Sequence, residues 1–464
     1  MTPGQAQQQP TEKLDLATAP DKALAALRKN EFEAAAHLYR HLLQIAPDVP
    51  AFWRNMSIAL RGQGHHNAAL AAARHAAALE PESIEALVNL SDSLVAMDRL
   101  DESLAILKKA VEADLQNVLY GRRYADVLRQ CGRFEEALAH IDLIRQTTPD
   151  DVETNWQCAV TNLTIGRYAE GWKDYEVRLK RGNIKINPYT APRWAGEDLK
   201  GKTILLYEEQ GFGDTILASR YIPLVKQLGA RVLFGSRPVL HKLFSKIPGI
   251  DRFVLEGAIN ERLDYHTSLL SLPGMFKTEV KTIPPIVELT PAEKLPAAVA
   301  PLLALGKDRF KVGIVWSGSP HFKGNHKRAV PFSRFLPLME VPDTQFYSLQ
   351  QGPAAGELAT AGAQGFVFDI GAHLTDFAAT AAVLNELDLV IMTDSSVVHL
   401  AGALNRPVWN LLAYDAYWLY MHGRSDSPWY PSLRLFRQPK PGDWESVFKE
   451  VAGELAKVSA LPRR

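Results

Sequence analysis

Gly132-Arg133-Phe134-Glu135-Glu136-Ala137 is the stretch on which the fold turns. A turn former comes first, a bulky residue follows two positions on, and a small residue follows five positions on. Downstream the same order returns as Gly166-Arg167-Tyr168-Ala169-Glu170-Gly171. Upstream it returns as Gly64-His65-His66-Asn67-Ala68-Ala69 and as Asn30-Glu31-Phe32-Glu33-Ala34-Ala35, with Arg99-Leu100-Asp101-Glu102-Ser103 supplying the copy between. The small residue therefore falls at 35, 69, 103, 137 and 171, in steps of 34. Twelve positions beyond it stand Pro47, Pro81, Leu115 and Pro149.

A 34-residue period with these positions resembles the tetratricopeptide repeat (TPR). Each unit is expected to be a helix–turn–helix. The small residue lets its two helices approach, the bulky one packs between them, and proline ends the second helix. One unit cannot bury its apolar face alone, so five stacked units over 16–185 predict an α-helical solenoid. Leu115 for proline and Gly171 for alanine depart from the pattern. The last unit ends in Trp172, Tyr175 and Arg178, as suits a repeat capping the array against something else. Such a solenoid is either a spacer or a peptide-binding groove. Cys131 and Cys158 fall in repeat helices, where packing is the expected role.

Composition bounds the rest. At about 150 residues per domain, 464 residues suggest roughly three folding units. Lys+Arg and Asp+Glu both number 52, which argues against broad affinity for nucleic acid or anionic membrane. Two cysteines make neither a disulfide scaffold nor a four-cysteine zinc site, and the chain reads as reduced and cytoplasmic. Residues 1–15 are polar and rich in Gln and Pro, which predicts a disordered lead rather than a secretion signal. No run of eighteen apolar residues predicts a membrane span.

From Pro192 the texture changes to alternating strand and helix. Strands are predicted at 203–208 and 231–235 and at Arg252–Leu255, with helices at 215–228 and 239–246 between them. A second run begins at Lys311, with strands at 311–317, 345–349, 367–370, 387–392 and 407–412, the last expected to close the sheet. Short helices are predicted at 332–339 and 375–385, and a further one follows Thr393-Asp394-Ser395-Ser396 and runs to Leu404. Alternation of this kind predicts parallel sheets in two doubly wound domains, 186–305 and 306–464, with a cleft between them. The Pro-rich stretch 273–301 reads as a hinge, and Trp444–Val458 as an amphipathic helix crossing back over the domains.

In open parallel sheets ligands bind beyond the carboxyl ends of the strands. Three notable elements fall at such ends. Gly211-Phe212-Gly213-Asp214 puts a carboxylate at a helix start, which is either a cap or a cleft-facing acid. Trp316-Ser317-Gly318-Ser319, followed by Lys323, His326, Lys327 and Arg328, is either a solvated basic loop or a seat for a diphosphate. Asp394-Ser395-Ser396-Val397-Val398-His399 is either an ordinary capped helix or a phosphate site on free backbone N–H groups. His399 alone reads more naturally as packed. Together the three suit transfer of a group from a nucleoside diphosphate to an acceptor. No D-x-D pair occurs, so the common metal-dependent route for nucleotide-sugar transfer finds no support in the sequence. None of the three elements has the G-x-x-x-x-G-K-[ST] spacing of a phosphate loop, and no G-x-S-x-G elbow is present. Tyr414, Tyr417, Trp418, Tyr420, Trp429 and Tyr430 are either a stacking surface or the edge of a core.

The stretches EEQGFGDTILASRYIPLVKQLGARV, VGIVWSGSP, KRAVPFSRFLPL, FYSLQQGP and DLVIMTDSSVVHLAGALNRPVW carry a wider resemblance, as do GRYAEGWKDYEVR and DSPWYPSLRLFRQP. The chain resembles bacterial TPR proteins with a C-terminal glycosyltransferase domain of the heptosyltransferase type, family 9 of the GT-B fold. The resemblance implies α + α/β architecture: a TPR solenoid followed by two Rossmann-like doubly wound domains. It implies Asp214 as general base within the Gly211, Phe212, Gly213 turn. It places the nucleotide-sugar at Trp316, Ser317, Gly318, Lys327, Arg328, Gln350, Gln351, Asp394, Ser395, Ser396, Val397 and His399. It implies no metal and no cofactor beyond the nucleotide-sugar co-substrate. Heptosyltransferases carry Lys-x-Trp-Pro where this chain has Lys327-Arg328-Ala329-Val330-Pro331, and they lack the repeats. Repeats joined to such a domain resemble protein O-glycosyltransferases, flagellin-modifying ones included, which implies a protein acceptor on the TPR groove. A lipopolysaccharide or polysaccharide acceptor, or a non-catalytic scaffold, are the alternatives.

Overall fold

The computed structural model describes residues 17–182, 189–255, 259, 261–322 and 324–461. The lead at 1–15, Lys323 and the expected boundary at 185/186 lie outside them. The chain divides into two compact units, ending at Thr148 and beginning at Pro149. The fifth repeat thus belongs to the second unit, with the sheets.

The first unit contains α1 (Ala19–Arg28), α2 (Phe32–Ile45), α3 (Pro50–Gly62), α4 (His66–Leu79), α5 (Ile84–Val95), α6 (Leu100–Ala113), α7 (Val118–Gln130) and α8 (Phe134–Thr147). The fifth repeat, in the second unit, is α9 (Val152–Thr164) and α10 (Tyr168–Tyr175). In every repeat the turn passes through one left-handed residue: Asn30, Gly64, Asp98, Gly132 or Gly166, with φ of 60°, 81°, 55°, 76° and 82°. Glycine takes this conformation freely, and Asn or Asp at little cost. The next N–H then bonds the carbonyl five residues back, as in Glu31 to Ala26 and Arg99 to Leu94, which ends the first helix. Ala35, Ala69, Ser103 and Ala137 are all at most 1% exposed. Where Gly171 replaces alanine, an added Cβ would stand 2.6 Å from the Leu163 side chain. Leu115 replaces proline without consequence: α6 stops at Ala113 with the same extended exit as α2, α4 and α8. Cys131 caps α7 and Cys158 is buried in α9, and neither is in a disulfide.

After α10 a 3-10 tail, Glu176–Lys180, leads toward the first sheet. That half contains β1 (Thr203–Tyr207), α11 (Phe212–Ala218), α12 (Ile222–Gln227), β2 (Arg231–Gly235), β3 (Arg252–Val254), β4 (Tyr265–Ser268), α13 (Leu272–Met275) and α14 (Ala300–Leu305). The second half contains β5 (Phe310–Val315), α15 (Asn325–Arg328), β6 (Thr344–Ser348), α16 (Glu357–Thr360), β7 (Val367–Asp369), α17 (Phe377–Asn385), β8 (Leu389–Thr393), α18 (Ser396–Ala403), β9 (Val408–Leu412), β10 (Leu433–Arg437) and α19 (Trp444–Ser459). The pairings between these strands are parallel, in the orders β3-β2-β1-β4 and β10-β9-β8-β5-β6-β7. The second order is that of a doubly wound sheet, reversing direction between β5 and β8. The first reverses between β1 and β4.

The structure corrects several expectations. The helix expected over 215–228 is broken, because Pro223 starts a new helix after a 3-10 turn at Ser219–Tyr221. The helix expected at 239–246 is a single 3-10 turn, Pro238–Leu240, followed by irregular turns. The stretch Phe332–Glu340 is 3-10, with Pro337 inside it. β9 does not close the second sheet, since β10 lies outside it. The Pro-rich stretch is no free hinge: Pro273 is buried, and Leu289 and Val299 lie in the main core. Thr290 bonds the Leu243 carbonyl and Ala292 that of Ala378, so the stretch is fastened to both halves.

One core joins the two sheets and the fifth repeat. It takes Ile204, Leu206, Val232 and Phe234 from the first sheet, Met392, Leu412 and Leu435 from the second, and Tyr168, Trp172 and Tyr175 from α10. The gap lined by Trp172, Tyr175, Tyr221, Trp418 and Trp429 is too small for a water molecule. The opposite face of the second sheet packs on α19 through Val447, Phe448, Val451 and Leu455. That helix covers one sheet rather than crossing both.

Candidate functional site

All three sequence elements sit at strand carboxyl ends beside the two reversal points. After β1 come Glu208, Glu209, Gln210 and Gly211, the last being the N-cap of α11. Asp214 is the third residue of that helix, and its Oδ2 accepts from the Gly211 N–H at 3.1 Å. This is the reciprocal half of a capping box, so the cap reading of Asp214 is part of the answer. Its Oδ1 receives a long contact from the Tyr417 hydroxyl, at 3.4 Å. Burial pushes the carboxyl up to about 6, opposed by the Gly211 N–H and helped by Asp394 and Glu209.

The loop after β5 is folded tightly on itself. Gln350 is buried, with its amide oxygen taking the N–H groups of Trp316 and Ser317 at 3.0 and 2.9 Å. Its amide nitrogen donates to the carbonyls of Ser317 and Gln351. Gln350 thus staples the loop and has no donor left for a ligand. Gln351 is exposed, with its amide tied to the carbonyls of Gly371 and Leu374. Trp316 lies on the face away from the first sheet, 4.9 Å ring to ring from Phe332. These three residues shape the loop from behind. Asn325 accepts from the Gly318 N–H and donates to the Ser317 hydroxyl. A Cβ on Gly318 would meet Arg328 Nη2 at 2.6 Å, so a side chain there would displace that guanidinium. Arg328 reaches Asp394 at 3.2 Å and lies over the Phe322 ring. Lys327 is half-buried on the same short helix.

After β8, Ser395 is the N-cap of α18 and accepts from the Val397 N–H. Ser396 and Val397 form the first turn, both half-buried. Asp394 accepts from Tyr420 at 2.6 Å as well as from Arg328. His399 is 5% exposed, and its Nδ1 lies 3.1 Å from the Tyr430 hydroxyl. Burial pushes its pKa down to about 4, so the ring is neutral. The packed reading of His399 therefore holds.

The structure brings the two halves into contact at this point. A Cβ on Gly213 would stand 2.5 Å from the His399 ring. Phe212 meets Phe377, with ring centroids 4.9 Å apart. Arg220, 4% exposed, spans the seam by donating to the carbonyls of Leu217, Pro284 and Trp429. Gly213, Asp214, Arg328, Asp394 and His399 thus gather in one place. Tyr417, Tyr420, Tyr430, Arg220 and Asn325 join them without having been foreseen as site residues. The tyrosines belong to the aromatic group at 414–430, whose role the sequence left open. Trp418, Tyr420, Trp429 and Tyr430 are core, at most 4% exposed.

With these features in view, the class can be stated. The chain carries N-terminal tetratricopeptide repeats and ends in two parallel sheets with helices. A tetratricopeptide-repeat family model matches residues 60–122. Protein FlbA of Caulobacter vibrioides is 28% identical over 491 aligned positions, covering 95% of this chain and 78% of that protein. Among solved structures, a thermophilic TPR protein of Thermus thermophilus is 20% identical with a TM-score of 0.33, over 36% of this chain and 91% of its own. MamA of AMB-1 is 18% identical with a TM-score of 0.30, over 35% of this chain and 96% of its own. Among the described residues no helix is long and apolar enough to cross a membrane.

Proposed function

We propose that the chain is a metal-independent GT-B glycosyltransferase that moves a sugar from a nucleotide-activated donor to a hydroxyl of a protein held by the repeats. The observation that carries this reading is the packing of the Asp214 turn, from the first half, through Gly213 against His399 of α18, from the second, where Arg328 pairs with Asp394 at the head of that helix. In the reaction Asp214 takes the proton of the acceptor hydroxyl. The freed oxygen pair bonds the anomeric carbon, and the bond from that carbon to the diphosphate breaks. Arg328, Lys327 and the Ser395–Ser396 helix start meet the charge on the leaving phosphate. A carboxyl raised to about 6 suits a base that works near neutral pH. Arg328 and Tyr420 already hold Asp394, so a donor that bonds this carboxylate shares it with them.

Two measurements on the full chain test this. Thermal shift with ADP, UDP, GDP and CMP should single out one nucleotide, with about 2.7 kcal/mol of stabilisation at a hundred times its Kd. Asp214→Asn should lower transfer at least about hundredfold while leaving nucleotide binding intact, and a loss under about tenfold removes Asp214 as the base. The closed seam favours a second reading, a TPR scaffold whose sheets hold no donor. No shift with any nucleotide, together with no transfer, would select it.

A further inference from the structure

Glu208 and Glu209 lead into the Asp214 turn, and each is held by a different arginine. Glu208 is bound by Arg237, just after β2, whose side chain is 44% exposed. Glu209 is bound by Arg178, from the 3-10 tail of the fifth repeat, and both of these side chains are 1% exposed. Arg178 Nε and Nη2 hold the two carboxylate oxygens at 2.6 and 3.0 Å. Nη1 donates to the Tyr175 carbonyl at 3.2 Å and to Glu176 at 2.7 Å. Nη2 also donates to the Ser271 hydroxyl at 2.8 Å. All five N–H donors of the guanidinium are therefore used. Ser271 lies just beyond β4, across the reversal point from Glu209. One side chain thus ties the repeat tail to the loops after β1 and β4.

Burying an ion pair gains little stability, because desolvation offsets the attraction. What a two-pronged arginine–carboxylate pair does supply is fixed geometry. Gly211, the N-cap whose N–H holds Asp214, lies two residues past Glu209. We propose that Arg178 is a positioning residue: through Glu209 it makes the tail of the last repeat the mount for the Asp214 turn. The catalytic meaning of this mount rests on the transferase reading; the mechanical link does not.

The test uses the full chain with Arg178→Lys, Arg178→Met, Arg178→Met/Glu209→Leu and, as comparator, Arg237→Met. Amide hydrogen exchange is read over 208–216 and 168–182, and the pH profile of transfer alongside. Arg178→Met should speed exchange in 208–216 by about tenfold or more, with Arg178→Lys between it and wild type. The double variant leaves no lone buried charge, so its Tm should recover while fast exchange and a shifted pH profile persist. Arg237 also bonds the Gln210 carbonyl and lies over the Phe212 ring, so Arg237→Met should loosen 208–216 too but leave 168–182 unchanged, which separates its local support from the link to the repeat. If Arg178→Met loosens only 168–182, the arginine merely supports its own repeat and the proposal falls. It falls equally if the double variant restores slow exchange, because Arg178 then only neutralises Glu209. If no form transfers sugar, wild type included, the transferase reading fails while exchange still decides the role of Arg178.

Discussion

Gly213→Ala probes the contact between the halves with a single methyl group. That carbon would stand 2.5 Å from His399 Cδ2, 3.1 Å from Nε2 and 3.2 Å from Cγ. Carbon atoms prefer about 3.5–4.0 Å, so the overlap is roughly 1 Å. The ring has little room to yield, being buried and bonded to Tyr430. Overpacking of this kind costs about 1–3 kcal/mol. Alanine in place of glycine in a helix returns up to about 1 kcal/mol. The expected net loss is about 1–2 kcal/mol, or a Tm fall of roughly 2–4 °C for a unit this large. Scanning calorimetry reads the loss as a lowered Tm. His399→Ala is destabilising alone, by a cavity and a lost partner for Tyr430. In the double variant the new methyl enters the vacated space, so the two losses should fall short of their sum by about 1 kcal/mol or more. A neutral or stabilising Gly213→Ala, or additivity within about 0.5 kcal/mol, would show that these helices do not pack as described.

Three further outcomes are expected. Tyr168→Phe removes the acceptor of the Trp429 indole N–H, 2.9 Å away and fully buried, and should cost about 1–3 kcal/mol in chemical denaturation. Asp214 titrates near 6 when folded and near 3.9 unfolded, so the folded chain keeps its proton longer and loses stability as pH rises from about 4 through 6. Asp214→Asn escapes that loss: its Tm should exceed wild type above pH 7, by at most about 3 kcal/mol of stability, with the gain gone below about pH 4. Asp98→Gly should stabilise the repeats by about 0.5–1 kcal/mol and Gly132→Ala should weaken them by about 1 kcal/mol, both read from the first unit's melting, because both positions are left-handed.

The repeats were legible because their signal is local and periodic. Asn30, Gly64, Gly132 and Gly166 announce the left-handed turn by residue type, and the period alone locates Asp98. Most strands of the sheets were legible as apolar runs. β4 was not, because Tyr265-His266-Thr267-Ser268 has few aliphatic side chains although three of the four residues are buried. β10 was missed because it is an edge strand, where Arg434 lies over Phe436 and pairs with Glu454. The site divides the same way. Strand ends marked Asp214, Arg328 and Asp394, since loop chemistry follows from the order of elements. The contacts among them did not follow: Tyr417 reaches Asp214 across 203 residues of sequence, and nothing local to either announces it. Gln350 stands beside the loop in space as expected, yet its amide is spent on backbone groups, which only coordinates reveal.

The fifth repeat shares a core with the sheets, and this sets where the gene can tolerate editing. Whole 34-residue modules are interchangeable in kind up to α8, so an array of this sort can lengthen or shorten ahead of Thr148 in unit steps. Cutting after α10 is different. It would strip Tyr168, Trp172 and Tyr175 from the hydrophobic cluster and leave Trp418 and Trp429 facing water. A shortened protein that begins at Pro149 keeps those partners, whereas one that begins at residue 186 exposes an aromatic wound and should aggregate. Lineages that trade repeats would accordingly trade the first four and inherit the fifth with the sheets.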